Sequence, residues 1–227
     1  MAIPLRAIVP LVLLVLVAPF LPILISGRWG WWEAWVYGAA GVLGFIVSRA
    51  LALRRHPDLI AERARSMQHE DTKPWDKVLA PLVGLGGVLL PIAAGLDARF
   101  AWPPRFGGTV RAGSLVVFLA GYVLSSYALV TNRFFSGVVR IQKDRGHHVV
   151  SGGPYRWMRH PGYAGALLAF LATPFLLGSW WTCAPALLLS AALVLRTSLE
   201  DAALLSELPG YRDYSGKVRA RLIPGVW

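Results

Sequence analysis

Gly152-Gly153-Pro154-Tyr155-Arg156-Trp157-Met158-Arg159-His160-Pro161-Gly162-Tyr163-Ala164-Gly165 lies between long apolar segments. It packs two arginines, a histidine, two tyrosines, two prolines and four glycines into one turn-rich passage. At membrane depth such groups are tolerated only where they line a polar cavity. The passage therefore marks the candidate active site, and the surrounding chain reads as the membrane scaffold that holds it.

The wider composition agrees. The 227 residues are 56% hydrophobic and only 15% charged, with mean hydropathy +0.52; soluble domains carry about 25% charged residues. The class is a polytopic integral membrane protein, all-α, and the length suits one compact domain over residues 1–227. The formal charge of +11 sits mainly in loops between apolar runs. Topology and anionic headgroups account for it there, so no nucleic-acid partner is expected. The single cysteine, Cys183, lies among apolar residues, which excludes an internal disulfide and a thiolate metal site.

About 20 apolar residues cross the hydrocarbon core, and the chain offers about six such segments. They run from Pro4 to Ile25, Trp31 to Leu53, Val78 to Leu96, Ala112 to Val130, Tyr163 to Leu177 and Trp181 to Leu195. The first is too long for the apolar core of a signal peptide and reads as a retained helix. Trp29-Gly30-Trp31-Trp32 is an aromatic cluster of interfacial type. Gly178-Ser179-Trp180 joins the last two spans as a tight helical hairpin. Arg54 to Lys77 reads as a short amphipathic helix and a polar turn, with Lys73-Pro74-Trp75-Asp76-Lys77 leading into the third span.

Loop charges set the orientation. With the amino terminus inside, inside loops hold Arg54, Arg55, Arg63, Arg65, Lys73, Lys77, Arg133, Arg140, Lys143, Arg145, Arg156 and Arg159. The tail adds Arg212, Lys217, Arg219 and Arg221, against Arg28, Arg99, Arg105 and Arg111 outside. Both termini and the active site are expected on the cytoplasmic side, in a bacterial-type inner membrane.

Two passages carry the non-lipid chemistry. Around Gly152–Gly165, glycines and Pro154 permit turns that expose backbone N–H groups, and Pro161 suits the first turn of the fifth span. A helix start there favours an anionic ligand group. The second passage is Arg196-Thr197-Ser198-Leu199-Glu200-Asp201 at the end of the sixth span, where Arg196 and Glu200 share a helix face. Tyr211 and Tyr214 read as interfacial tyrosines, His147 as a solvated neighbour of His148, and His56 and His69 as loop residues without chemistry. The five histidines show no ligand spacing with acids, so no metal is expected.

Gly153-Pro154-Tyr155, Arg159-His160-Pro161-x-Tyr163-x-Gly165, Arg196 with the acidic pair, Gly210-Tyr211-x-x-Tyr214 and Leu222-Ile223-Pro224 together resemble the isoprenylcysteine carboxyl methyltransferase family, grouped with the membrane phospholipid methyltransferases. The resemblance covers roughly residues 140 to 225. It implies a methyl transfer from S-adenosyl-L-methionine, with a scaffold over 1–130 and a catalytic region over 131–227. The cofactor pocket would be cytoplasmic and formed by the C-terminal half. By the same resemblance His148, Val149, Gly153 and Tyr155 border the cofactor on the loop side. Arg159, His160 and Tyr163 form the next wall, and Glu200 and Asp201 stand for the family's paired glutamates. Arg196 matches an arginine that faces the reaction centre, the catalytic position. One departure is Asp201: the family's pair is usually Glu-Glu, and aspartate shortens the reach by one methylene.

The implied acceptor is a lipophilic or amphiphilic small molecule or lipid entering sideways from the bilayer. Methyl transfer is an in-line displacement, so the protein's task is alignment and exclusion of water. Two other readings share these features: a membrane sterol-reductase-like enzyme using NADPH, and a non-catalytic membrane protein on the same fold. The first usually has more spans and lacks the acidic pair at this spacing.

Overall fold

The computed structural model describes residues 13–100 and 106–227. The start of the expected first span, Pro4 onward to residue 12, and Arg105 lie outside the described residues. Among the described residues the regular structure is entirely helical. A short apolar helical segment, α1, covers Leu13–Ser26. It is followed by α2 (Trp32–Arg55), α3 (Pro57–Ala64), α4 (Asp76–Gly86), α5 (Leu89–Phe100), α6 (Gly108–Thr131), α7 (Pro161–Leu176), α8 (Cys183–Glu207) and α9 (Tyr211–Lys217).

Four segments are long and apolar enough to cross a membrane: α2, α4 with α5 (Asp76–Phe100), α6 and α8. Their outward faces carry exposed Leu43, Val47, Val116, Val123, Leu187 and Leu188, as a lipid-facing surface requires. The third span is interrupted at Gly87–Val88. Pro91 has no N–H to offer the Gly87 carbonyl, so the helical ladder breaks there. The fifth segment, α7, has 16 residues, about 24 Å at 1.5 Å each, short of a core of about 30 Å.

The largest departure from the expected boundaries is α8. It was expected to stop near Leu195 and instead runs to Glu207. After Pro185 in its first turn, no glycine or proline interrupts it until Pro209-Gly210, where Gly210 turns the chain at φ 79°. Arg196, Glu200 and Asp201 therefore sit on a rigid helix beyond the apolar stretch rather than on a loop. The hairpin between α7 and α8 is tight, with Gly178 at φ 66° and the Thr182 hydroxyl donating to Ser179 Oγ at 2.8 Å.

The α6–α7 pair is the spine of the bundle. A Cβ on Gly165 would collide with the Gly121 carbonyl oxygen and with Ser125. Ser125 Oγ donates to the Gly162 carbonyl at 2.9 Å. Ile23, Tyr37, Phe118, Ala169 and Leu176 fill the core beside this contact. That packing brings the ends of α2, α6 and α8 and the starts of α4 and α7 to one end of the bundle, where the crossover 132–160 and the tail meet.

Candidate active site

The crossover after α6 folds over the extension of α8, and the two enclose a cavity. Its free volume is about 810 Å³, counted with the open space at its mouth; small-molecule sites occupy roughly 300–1,000 Å³. The crossover contributes Asn132, Phe134, Arg140, Gln142, His147, His148, Val149 and Tyr155. The start of α7 contributes Arg159, His160 and Tyr163, and the α8–α9 region contributes Glu200, Leu204, Leu208, Tyr211 and Tyr214.

The rim on the crossover side is held by charge. Arg140 donates to Glu62 at 3.0 Å, to Asp71 at 3.0 Å and to both oxygens of Asp144 at 2.9 and 3.1 Å. Burial lowers its pKa, and these carboxylates more than reverse that. Gln142 Nε2 donates to the Phe134 carbonyl at 2.8 Å, and Gln142 Oε1 accepts from Arg145. His147 lies against Phe134, ring centres 4.6 Å apart. Burial first, then the charges of His148, Arg140 and Arg145, lowers its pKa to about 4, so the ring is neutral at pH 7.

Asp201 is the hub on the other side. It is fully buried and accepts from Arg159 Nε and Nη2 at 2.7 Å each, from Tyr211 at 2.8 Å and from Arg221 Nε at 2.9 Å, with His160 Nε2 at 3.2 Å. Arg159 Nη1 donates to the Val218 and Arg219 carbonyls at 2.9 and 2.8 Å. The backbone N–H groups of Arg159 and His160 bond Ala220 and Arg221 at 2.9 Å. This is why the tail lies against the protein: one buried carboxylate and one arginine tie it to the start of α7. Tyr214 adds a bond to the Tyr155 carbonyl at 2.6 Å, and burial raises its pKa to about 12.

Two lining side chains are bonded to each other at the cavity wall. The Tyr163 hydroxyl donates to Glu200 Oε2 at 2.5 Å, and the His160 ring stacks parallel on Tyr163 at 5.8 Å. Glu200 is the one carboxylate among the described lining residues.

Seven of the ten residues expected at the site line this cavity: His148, Val149, Tyr155, Arg159, His160, Tyr163 and Glu200. Gly153, Asp201 and Arg196 do not. Gly153 turns the chain beneath the end of α6 at φ 56°, where a Cβ would crowd Thr131 and Tyr127. Asp201 lies behind the wall on α8, bonded to Arg221 of the tail. Arg196 is bound to Asp76, with Nε to Oδ1 at 2.7 Å and Nη2 to Oδ2 at 3.0 Å, and to the Gly137 carbonyl at 3.0 Å. It reaches the cavity wall only through the Tyr163 ring, whose centre is 5.2 Å from the guanidinium carbon.

Several residues escaped the sequence reading. Tyr211 and Tyr214, read as interfacial, are buried and line the cavity. His147, read as a solvated neighbour, also lines it. Asp76, read only as part of a helix start, is fully buried and also accepts the Val139 N–H at 2.6 Å. The usable signal was an acid at the first turn of an apolar span, which needs a cationic partner; nothing in the sequence said that the partner lay 120 residues away.

Comparison with known proteins points the same way. Residues 114–206 match the model of the isoprenylcysteine carboxyl methyltransferase family. A "probable protein-S-isoprenylcysteine O-methyltransferase" of Oryza sativa subsp. indica is 41% identical over 64 residues, 28% of this chain and 34% of that protein. Protein-S-isoprenylcysteine O-methyltransferase A of Arabidopsis thaliana is 31% identical over 77 residues, 34% of this chain and 36% of the relative. The Schizosaccharomyces pombe protein-S-isoprenylcysteine O-methyltransferase is 32% identical over 102 residues, covering 44% and 43%. The chain thus spans about a third to two fifths of the length of these curated relatives. The matched stretch begins in α6 and ends in α8, so it contains the crossover, the first turn of α7 and Glu200. Over residues 114–206 this integral membrane chain carries the pattern of the isoprenylcysteine carboxyl methyltransferase family.

Proposed function

We propose that this protein is an S-adenosyl-L-methionine-dependent methyltransferase acting on a lipophilic or amphiphilic acceptor. One observation carries the reading: the crossover and the α8 extension close over a single cavity that places Glu200 and Tyr163 beside each other. The donor set fits the cofactor. Glu200 can accept from an ammonium or a ribose hydroxyl, and Phe134, Tyr211, His147 and His148 offer faces for the adenine base. When bound, S-adenosylmethionine supplies a methyl group activated on a sulfonium.

The chain's own part is placement. Tyr163 fixes the Glu200 carboxylate, and Arg196 supports the back of the Tyr163 ring. Arg196 is thus a positioning residue in this reading, held by Asp76 rather than free to grip a ligand. Residues 131–227 form the catalytic region, and the scaffold 1–130 contributes Asp76 to it.

An apolar cavity of about 1,520 Å³, counted with the open space around it, runs among α2, α4, α5, α6 and α7 and shares Phe135, Gly162 and Tyr163 with the first. This continuity supports an acceptor that enters from the bilayer and presents its polar end at Tyr163. A carboxylate or thiolate acceptor would need no general base. With Leu13–Ser26 and α7 counted beside the four long spans, the chain makes six crossings. The charge asymmetry supports an orientation with both termini and the cavity on the cytoplasmic side of a bacterial-type inner membrane.

The test is ligand-dependent thermal stabilisation in detergent, followed by transfer of labelled methyl to a panel of prenylated thiols, isoprenoid carboxylates and lipid amines. S-adenosylhomocysteine should raise the midpoint and NADPH should not. Stabilisation by NADPH alone, or by neither, would overturn the proposal.

A further inference from the structure

The opposite end of the bundle holds a second polar cavity. It lies about 30 Å from the first, since α6 runs between them from Arg111 to Thr131 at about 1.5 Å per residue. Arg28, Trp31, Trp32, Glu33, Asp97 and Arg111 line it.

Its charged side chains are not all paired within the protein. Glu33 and Arg111 satisfy each other at 2.6 Å, and Arg111 Nε also donates to the Phe106 carbonyl at 2.9 Å. Asp97 is only 4% exposed, and its Oδ2 has no hydrogen-bond partner. Leaving a buried carboxylate oxygen unsatisfied costs stability unless something else supplies the donor. Arg28 is bonded through its backbone N–H to Ser26, and its guanidinium makes no hydrogen bond or ion pair among the described residues. One carboxyl and one guanidinium thus line the same cavity without pairing to each other.

A metal is a poor match. Among the described residues no group of three histidine, cysteine, aspartate or glutamate side chains is gathered, and calcium or magnesium wants several oxygen ligands. A single cation would leave Arg28 alone, and a single anion would leave Asp97 alone. A small zwitterion satisfies both.

We infer that this cavity binds a phosphoethanolamine group, its primary ammonium donating to Asp97 and its phosphate oxygens accepting from Arg28. Within such a zwitterion the ammonium must carry hydrogens, because Oδ2 needs a hydrogen-bond donor and a quaternary ammonium has none. Trp31 and Trp32 line the same cavity and offer faces for cation–π attraction. The group could arrive on a membrane lipid or as the free soluble headgroup, and the binding chemistry is the same. The site is independent of the methyl-transfer proposal.

The test is stabilisation of the purified protein in detergent by added phosphatidylethanolamine, phosphatidylcholine or phosphatidylglycerol, and by deacylated glycerophosphoethanolamine. Phosphatidylethanolamine should bind at least about tenfold more tightly than the other two lipids. Asp97→Asn should abolish that preference, and Arg28→Gln should weaken binding by about tenfold, the effect of losing one charged hydrogen bond. An equal response to the deacylated compound identifies the free headgroup as the source, and a response only to the acylated one identifies the lipid; either supports the inference. Equal responses to all three lipids, or an Asp97→Asn variant that keeps the preference, would overturn it. Should Asp97→Asn fail to fold, an unchanged response in Arg28→Gln overturns it alone.

Discussion

Asp76→Asn is the perturbation that tests the architecture of the site most directly. Asp76 lies outside the stretch 114–206 matched to the family model. It is fully buried, and both of its oxygens are engaged by Arg196 while Oδ2 also accepts the Val139 N–H. Amidation removes the charge and turns one acceptor into a donor facing a guanidinium. Removing one member of a buried ion pair costs about 3–5 kcal/mol, because the surviving charge is left uncompensated. For a chain of this size each kcal/mol moves the midpoint by about 2–4 °C, so a drop of roughly 6–20 °C is expected. Arg196→Met alone should cost a similar amount by stranding Asp76. The double variant leaves no stranded charge and should lie close to the worse single variant, giving a coupling of about 3–5 kcal/mol, the size of the smaller single loss. The assay is thermal unfolding of the four proteins in one detergent, read beside S-adenosylhomocysteine affinity. Additive losses would refute the reasoning, since they would mean that the two side chains do not depend on each other.

Three further outcomes are expected. Glu200→Ala should weaken S-adenosylhomocysteine binding by about 1.5–3 kcal/mol in a calorimetric titration, with an unchanged midpoint for the unliganded protein; equal affinity would remove Glu200 from the ligand. His147 has a native pKa of about 4 against an ordinary 6.5, so the unfolded chain takes up the proton first as pH falls. Stability should therefore decline from pH 6.5 towards 4, and His147→Gln should flatten that slope in thermal scans; identical slopes would count against the burial of the ring. Gly165→Val should cost about 1–3 kcal/mol or more by forcing α6 and α7 apart, seen as loss of monodisperse protein on gel filtration; a normal yield would show that the helices can separate without harm.

Much of the site could be read from residue types because the bilayer makes polar residues conspicuous. Arg159, His160, Tyr163 and Glu200 stand out from apolar surroundings, and helical spacing put Arg196 and Glu200 on one face. Partner choice was not legible in the same way. Asp201 looked like the second acid of a ligand-binding pair, yet its environment of Arg159, His160, Tyr211 and Arg221 makes it the anchor of the tail. Arg196 looked free to face the reacting atoms, yet Asp76 holds it.

The sequence by itself determined the helical membrane class, the apolar segments and the turn-rich passage that holds the site, because hydropathy and turn chemistry are local properties. Only the tertiary structure decided how far α8 extends, which carboxylate faces the cavity and which is spent inside the protein. Those outcomes depend on pairings between residues far apart in the chain, as between Arg196 and Asp76 or Arg159 and Asp201. A charge in a low-dielectric interior takes whichever partner the packing brings within reach, and sequence spacing carries no record of that choice.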